Sequence, residues 1–201
     1  MIKNIVLDIG NVLCTFEPDK MLKDLFDNSH IEEQLWGIYF SSLWDQYDKN
    51  AVSKAKMIEI GMLQAPEREK EIKKLMNEWV HHVDLIEENL DFVQHLHDLG
   101  YGIYILSNIP EDCWIHLKEN GLFKYADGGV YSYQERKIKP DFDFYKILLN
   151  RYELDASECL FIDDNPKNIE AARTLGFYTL LLDDPYSFTK DTRELLEELK
   201  D

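Results

Sequence analysis

The sequence predicts a doubly wound, Rossmann-like parallel α/β core with an inserted α-helical cap, on three observations. Short apolar runs of strand length recur along the chain, amphipathic helical patterns separate them, and one long block between Glu17 and Glu88 carries helical segments alone.

The strand runs are Asn4 to Leu7, Ile103 to Leu106, Gly129 to Tyr131, Cys159 to Ile162 and Tyr178 to Leu182. Most lack polar alternation, as strands covered on both faces do, and that favours a parallel sheet. Between them, Leu85, Asn89, Phe92, Val93, Leu96 and Leu99 fall on one helical face, followed by a Leu99-Gly100 stop. Ligands of such sheets sit beyond the carboxyl ends of the strands. Inside the helical block, breaks fall at Asn28-Ser29, Asn50 and Ala65-Pro66. The expected division is therefore a core over 1–16 and 89–201 and a cap over 17–88. The block holds Trp36, Trp44 and Trp79 with Tyr39, Phe40 and Tyr47. Two readings stand for these rings: the core of a small subdomain, or a wall facing a substrate.

The chain has 201 residues, 45% of them hydrophobic, enough for one packed domain and a smaller appendage. No run of about 18 apolar residues offers a membrane span, and no signal layout precedes the first strand, so a cytoplasmic location is expected. Cys14, Cys113 and Cys159 lie far apart without metal-ligand spacing, which excludes a disulfide framework and a zinc site. With 39 acidic and 22 basic residues the net charge is -17, and no basic stretch could track a nucleic acid. An anionic metabolite would be repelled by such a surface, so its site needs a metal ion or a placed lysine.

Four segments carry residues suited to that task. In Ile5-Val6-Leu7-Asp8-Ile9-Gly10-Asn11-Val12, an acid follows an apolar strand and leads into a glycine turn. A carboxylate there can attack phosphorus, or it can simply cap the turn. Ser107 and Asn108 end the strand Ile105-Leu106, where a hydroxyl and a backbone amide can hold a phosphoryl oxygen. In Lys137-Ile138-Lys139-Pro140-Asp141 the proline can fix the direction of Lys139. Last, Leu160-Phe161-Ile162 ends in Asp163-Asp164-Asn165, paired carboxylates that favour Mg²⁺, with capping of the next helix as the alternative.

Together and in this order, these segments resemble the motif set of the haloacid dehalogenase-like hydrolase superfamily. The wording around Asp8, Ser107-Asn108, Lys139-Pro140-Asp141 and Asp163 to Ala172 is most similar to its helical-cap branch, which contains bacterial sugar-phosphate phosphatases such as α-D-glucose-1-phosphate phosphatase. The resemblance implies a Mg²⁺-dependent phosphatase acting on a small phosphorylated metabolite. It makes Asp8 the nucleophile, with Ser107, Asn108 and Asn11 on the phosphoryl group and Lys139 bridging it to Asp8. Asp8, Asp163, Asp164 and the carbonyl of Gly10 become the metal ligands.

One position departs from the family pattern. Where typical phosphatases of the superfamily carry a second Asp as general acid, this chain has Gly10. The leaving group then needs another proton source, for which Glu17 is a candidate, or a substrate whose leaving group departs readily. Two other functions compete: a metal-independent 2-haloacid dehalogenase, which needs no such acid, and a catalytically silent binding protein. The pair Asp163-Asp164 speaks against the first, because uncompensated anions would repel a haloacid.

Overall fold

In the computed structural model, which describes residues 1–200, five strands form one sheet: β1 (Asn4–Leu7), β2 (Gly102–Ser107), β3 (Gly128–Tyr131), β4 (Cys159–Asp163) and β5 (Tyr178–Leu181). All neighbours pair in parallel, in the order β3-β2-β1-β4-β5. Each expected strand is present, with its ends displaced by no more than one residue. From central β1 the chain fills one side of the sheet and then returns to build the other. The strand order therefore reverses beside β1, and a crevice opens at the carboxyl ends there.

Five helices follow β1 directly, α1 (Pro18–Phe26), α2 (Ser29–Tyr39), α3 (Ser42–Asp48), α4 (Lys54–Gln64) and α5 (Glu69–Glu78), and a 3-10 turn at Trp79–His82 comes after them. Among the described residues no strand interrupts them. Their boundaries follow local chemistry. The Asn28 side chain caps α2, Asn50 takes a left-handed φ of 52° after α3, and Pro66 opens a 3-10 turn after α4. The chain leaves and re-enters the sheet region at adjacent points, since Thr15 N–H donates to the Asp84 carbonyl and Ile86 N–H to that of Leu13.

The remaining helices are α6 (Glu87–Asp98), α7 (Glu111–Glu119), the short α8 (Ser132–Glu135), α9 (Phe142–Arg151), α10 (Pro166–Thr174) and α11 (Phe188–Glu198). Ile5, Leu7, Ile105 and Ile162 pack with residues of α6, α7 and α11, while Val6, Leu106 and Phe161 pack on the opposite face with those of α9 and α10. Both faces are thus covered, which is why the strand runs do not alternate. Each of these aliphatic side chains contributes about 1.5–3 kcal/mol on burial. The stripe expected from Leu85 to Leu99 is helical only over its middle. Leu85 lies ahead of α6 in a bridge to Cys14, and Leu99 is exposed just before Gly100, whose φ of 90° ends the helix.

Candidate active site

Three strand ends converge at the crevice. Asp8 follows β1, Ser107 closes β2, and Asp163 closes β4 with Asp164 next to it. Asp8, Gly10, Ser107, Asn108, Lys139 and Asp164 line one cavity of about 200 Å³. Asp163, fully buried, stands behind Lys139 and not on the cavity wall.

Lys139 is the hub of the arrangement. Only 2% exposed, its Nζ lies 2.8 Å from Asp8 Oδ1 and 2.6 Å from Asp163 Oδ2. Its direction is fixed by more than the neighbouring proline. The Asn108 side chain accepts from the Lys139 N–H at 2.8 Å and donates to the Lys139 carbonyl at 3.2 Å. The Asn108 side chain is committed to this clamp, and its backbone amide, the group expected at the phosphoryl oxygen, is a separate donor.

The paired carboxylates have different surroundings. Asp163 accepts from the Asn165 N–H at 2.8 Å, from Asn168 Nδ2 at 3.0 and 3.1 Å, and from Lys139. Asp164 accepts from Asn11 Nδ2 at 2.9 Å. Capping of α10 falls to Asn165, whose side chain accepts from the Lys167 N–H, so Asp164 is not spent on the helix end. Both ends of the Asn11 amide are engaged, since its oxygen also accepts from the Phe16 N–H at 3.0 Å. Its left-handed backbone, with φ of 52°, suits the turn that makes this possible.

Three carboxylates against one ammonium leave an excess of negative charge. Burial pushes the Asp8 carboxyl up to about 7, Lys139 partly opposes this, and Asp163 and Asp164 add to it. Burial alone would discharge Lys139, yet Asp163 and Asp8 outweigh it and raise its ammonium above the usual lysine range. A divalent cation fits this imbalance, because carboxylate oxygens of Asp8, Asp163 and Asp164 come within 4.8 Å of one another in an all-oxygen donor set.

The helical block and the segment leading into it supply part of the cavity wall. Phe16, Trp44 and Trp79 line it, and the two indoles meet edge to face at 5.0 Å. Trp44 and Trp79 are also 8% and 1% exposed, so they are packed as core residues and border the cavity at the same time. Trp36, by contrast, is partly in solvent. Asp48, at the end of α3, is a further lining residue that sequence reasoning missed. Glu17 lies elsewhere, in a separate depression with Lys20, Asp24 and His82.

A sequence profile of haloacid dehalogenase-like hydrolases matches residues 2–176. The chain belongs to this family. Among curated members, it is 25% identical over 195 residues to a sesquiterpene phosphatase of Aspergillus oryzae, covering 96% of each chain. It is also 27% identical over 199 residues to a D-ribitol-5-phosphate phosphatase of Bacteroides thetaiotaomicron, covering 89% of this chain and 91% of that one. In structure, this hydrolase superposes with a TM-score of 0.72 and 25% identity on a family enzyme from the same bacterium crystallised with magnesium, over 90% and 92% of the two chains. Among the described residues, no helix of the hydrolase is long and apolar enough to cross a membrane.

Proposed function

We propose that this hydrolase is a Mg²⁺-dependent phosphatase that works through an aspartyl phosphate on Asp8. The observation that carries the proposal is the placement of one buried lysine between Asp8 and Asp163, with Asp164 alongside, at the reversal point of the sheet. Phosphatases among the relatives support it, as does the magnesium complex of the structural neighbour.

In this reading Asp8, as its carboxylate, forms a bond to phosphorus while the bond to the leaving oxygen breaks. Lys139 opposes the protonation that burial favours at Asp8 and keeps the carboxyl in line, and with the Ser107 hydroxyl and the Asn108 amide it binds the phosphoryl oxygens. Asp8, Asp164 and the Gly10 carbonyl would hold Mg²⁺ directly. Asp163, with its lone pairs taken by Lys139, Asn165 and Asn168, contributes charge and orientation more than a free ligand atom. Asn11 positions Asp164. Mg²⁺ supplies positive charge against the phosphoryl oxygens.

The finer reading is a small sugar or polyol phosphate as substrate, with residues 17–88 serving as a cap over a core of 1–16 and 89–201. The cavity of about 200 Å³ suits a small ester, and Trp44 and Trp79 give its wall an apolar part against which carbon-bound hydrogens can rest. A panel of phosphorylated sugars and polyols, assayed for phosphate release with Mg²⁺ and with chelator, tests both levels. Mass spectrometry of the trapped intermediate should place the phosphoryl group on Asp8. Chloride release from 2-chloropropionate in chelator, without phosphate release from any ester, would establish the dehalogenase instead.

A further inference from the structure

We propose that Asp48 is the general acid that protonates the leaving oxygen, a role delivered by the helical block in place of a carboxylate at position 10. This rests on the phosphatase reading above. Hydrolysis of an alkyl phosphate needs a proton on the departing oxygen, and Gly10 has no side chain to give one.

The titratable groups that line the cavity are few: Asp8, Asp48, Asp164, Lys139, Cys14 and Cys113. Asp8 is needed as an anion, Asp164 as a cation ligand and Lys139 as a bridge. Burial pushes the thiols of Cys14 and Cys113 so far up that neither is a useful acid. Asp48 is left. It comes from α3 and not from a strand end, so it reaches the cavity from the block's part of the wall.

The surroundings of Asp48 suit a carboxylic acid and not a carboxylate. It is 8% exposed, and among the described residues no hydrogen bond or ion pair engages its side chain. Its backbone is firmly held, since the Ser132 hydroxyl donates to the Asp48 carbonyl at 2.7 Å. The charged groups around it are mostly repulsive: Asp45 on the same helix, Asp8 beyond β1 and Asp112 on α7, against the single attraction of Lys139. Asp112, by contrast, accepts from Tyr47 Oη at 2.6 Å and Trp79 Nε1 at 3.3 Å. Burial first, then Asp45 and Asp8, therefore raise the Asp48 carboxyl well above the ordinary range. A neutral acid beside an ionised nucleophile is the division of labour that a two-carboxylate site requires.

In the first step Asp8 bonds to phosphorus, the bridging P–O bond breaks, and the Asp48 proton passes to the departing oxygen, releasing an alcohol. In the second, Asp48 takes a proton from the water that attacks phosphorus. Asp8 departs as a carboxylate, phosphate is released and Asp48 is again protonated. Water is the sole co-reactant.

The test compares two esters with Mg²⁺: 4-nitrophenyl phosphate, whose leaving group departs as a stable anion, and glycerol phosphate, whose alkoxide needs a proton. For Asp48→Asn we expect kcat/KM on glycerol phosphate to fall by about 10²- to 10⁴-fold and on 4-nitrophenyl phosphate by less than about tenfold. In the parent enzyme alone, kcat for glycerol phosphate should drop at alkaline pH while kcat for the aryl ester does not, a result that needs no variant to fold. Equal losses on both esters, no loss, or matching alkaline limbs would overturn the assignment of Asp48 and leave Asp8 chemistry intact. A parent enzyme that releases phosphate from neither ester would overturn the phosphatase reading and this inference with it.

Discussion

Asp163, behind Lys139, and Asp48, on the cavity wall, are two buried aspartates with opposite surroundings. Asp163, at a strand end, is held by Lys139, Asn165 and Asn168; Asp48, at a helix end, has no partner for its carboxylate among the described residues. Depth alone does not decide the charge of a buried acid. Donors do, because an anion without them bears the whole cost of leaving water. The sheet half of the site is thus a fixed ionic lattice, and the helical half offers a neutral proton carrier.

The comparison has meaning only if both groups serve Asp8. Asp8→Asn should cut turnover by on the order of 10⁵- to 10⁶-fold, as loss of a covalent nucleophile does, with an unchanged circular dichroism spectrum. Residual hydrolysis near the parental rate would dissolve the comparison. Next in size is Lys139→Met, which removes the cation that ties the lattice together. Urea denaturation without metal should show a loss of about 3–5 kcal/mol at neutral pH.

A smaller effect separates the two halves by metal. Mg²⁺ at a hundredfold excess over its Kd should stabilise the parent by about 2.7 kcal/mol. Asp164→Asn should abolish most of that gain, whereas Asp48→Asn should keep it. An equal loss in both variants would mean that the halves are not distinct.

The protonation contrast predicts a pH effect on stability. Unfolded, Asp48 ionises near its ordinary 3.8; folded, it ionises well above that. Between the two values the native state holds the extra proton, so stability declines as pH rises, by at most about 1.4 kcal/mol per pH unit. Asp48→Asn lacks this decline. The difference between variant and parent in urea midpoints should therefore grow in the variant's favour from mildly acidic to alkaline pH. A constant difference would show that Asp48 is ionised in the native state.

The smallest effect belongs to Gly10→Asp. Gly10 is not among the left-handed glycines, and a Cβ there would meet Phe16 Cβ at 3.7 Å, an ordinary contact. Stability should change by less than about 1 kcal/mol. With Asp48 present, activity on alkyl phosphates should rise little; in the Asp48→Asn background the same substitution should restore part of what was lost.

The strands, their burial on both faces and most of the strand-end residues were legible because they depend on short runs. The runs before Asp8, Ser107 and Asp163 are local signals, and parallel topology then carries them to one crevice. Second partners were not. Asn108 looks like a phosphate ligand in sequence but grips the backbone of Lys139 31 residues away, and Asn168 reaches Asp163 only after α10 has turned. Asp48 carries no such local signal, because a single acid at the end of Ser42–Asp48, with Asp45 and Gln46 before it, forms no motif. Its burial comes from the packing of α3 against α8, which no local spacing encodes. Glu17 drew attention through proximity in the chain to Asp8, yet the turn after β1 carries it to another surface.

The hydroxyl of Ser132 donates to the Asp48 carbonyl at 2.7 Å, lies 3.1 Å from that of Ile109 and accepts from the Ile109 N–H. Ile109 directly follows the Ser107-Asn108 pair, so this single oxygen ties the phosphate-gripping turn to the helix that bears Asp48. The two ends of a substrate, phosphorus at one and departing oxygen at the other, are then measured from a common origin. Such a tie acts as a ruler: side chains farther along the cavity decide which alcohol fits, while the one distance that every ester shares stays the same.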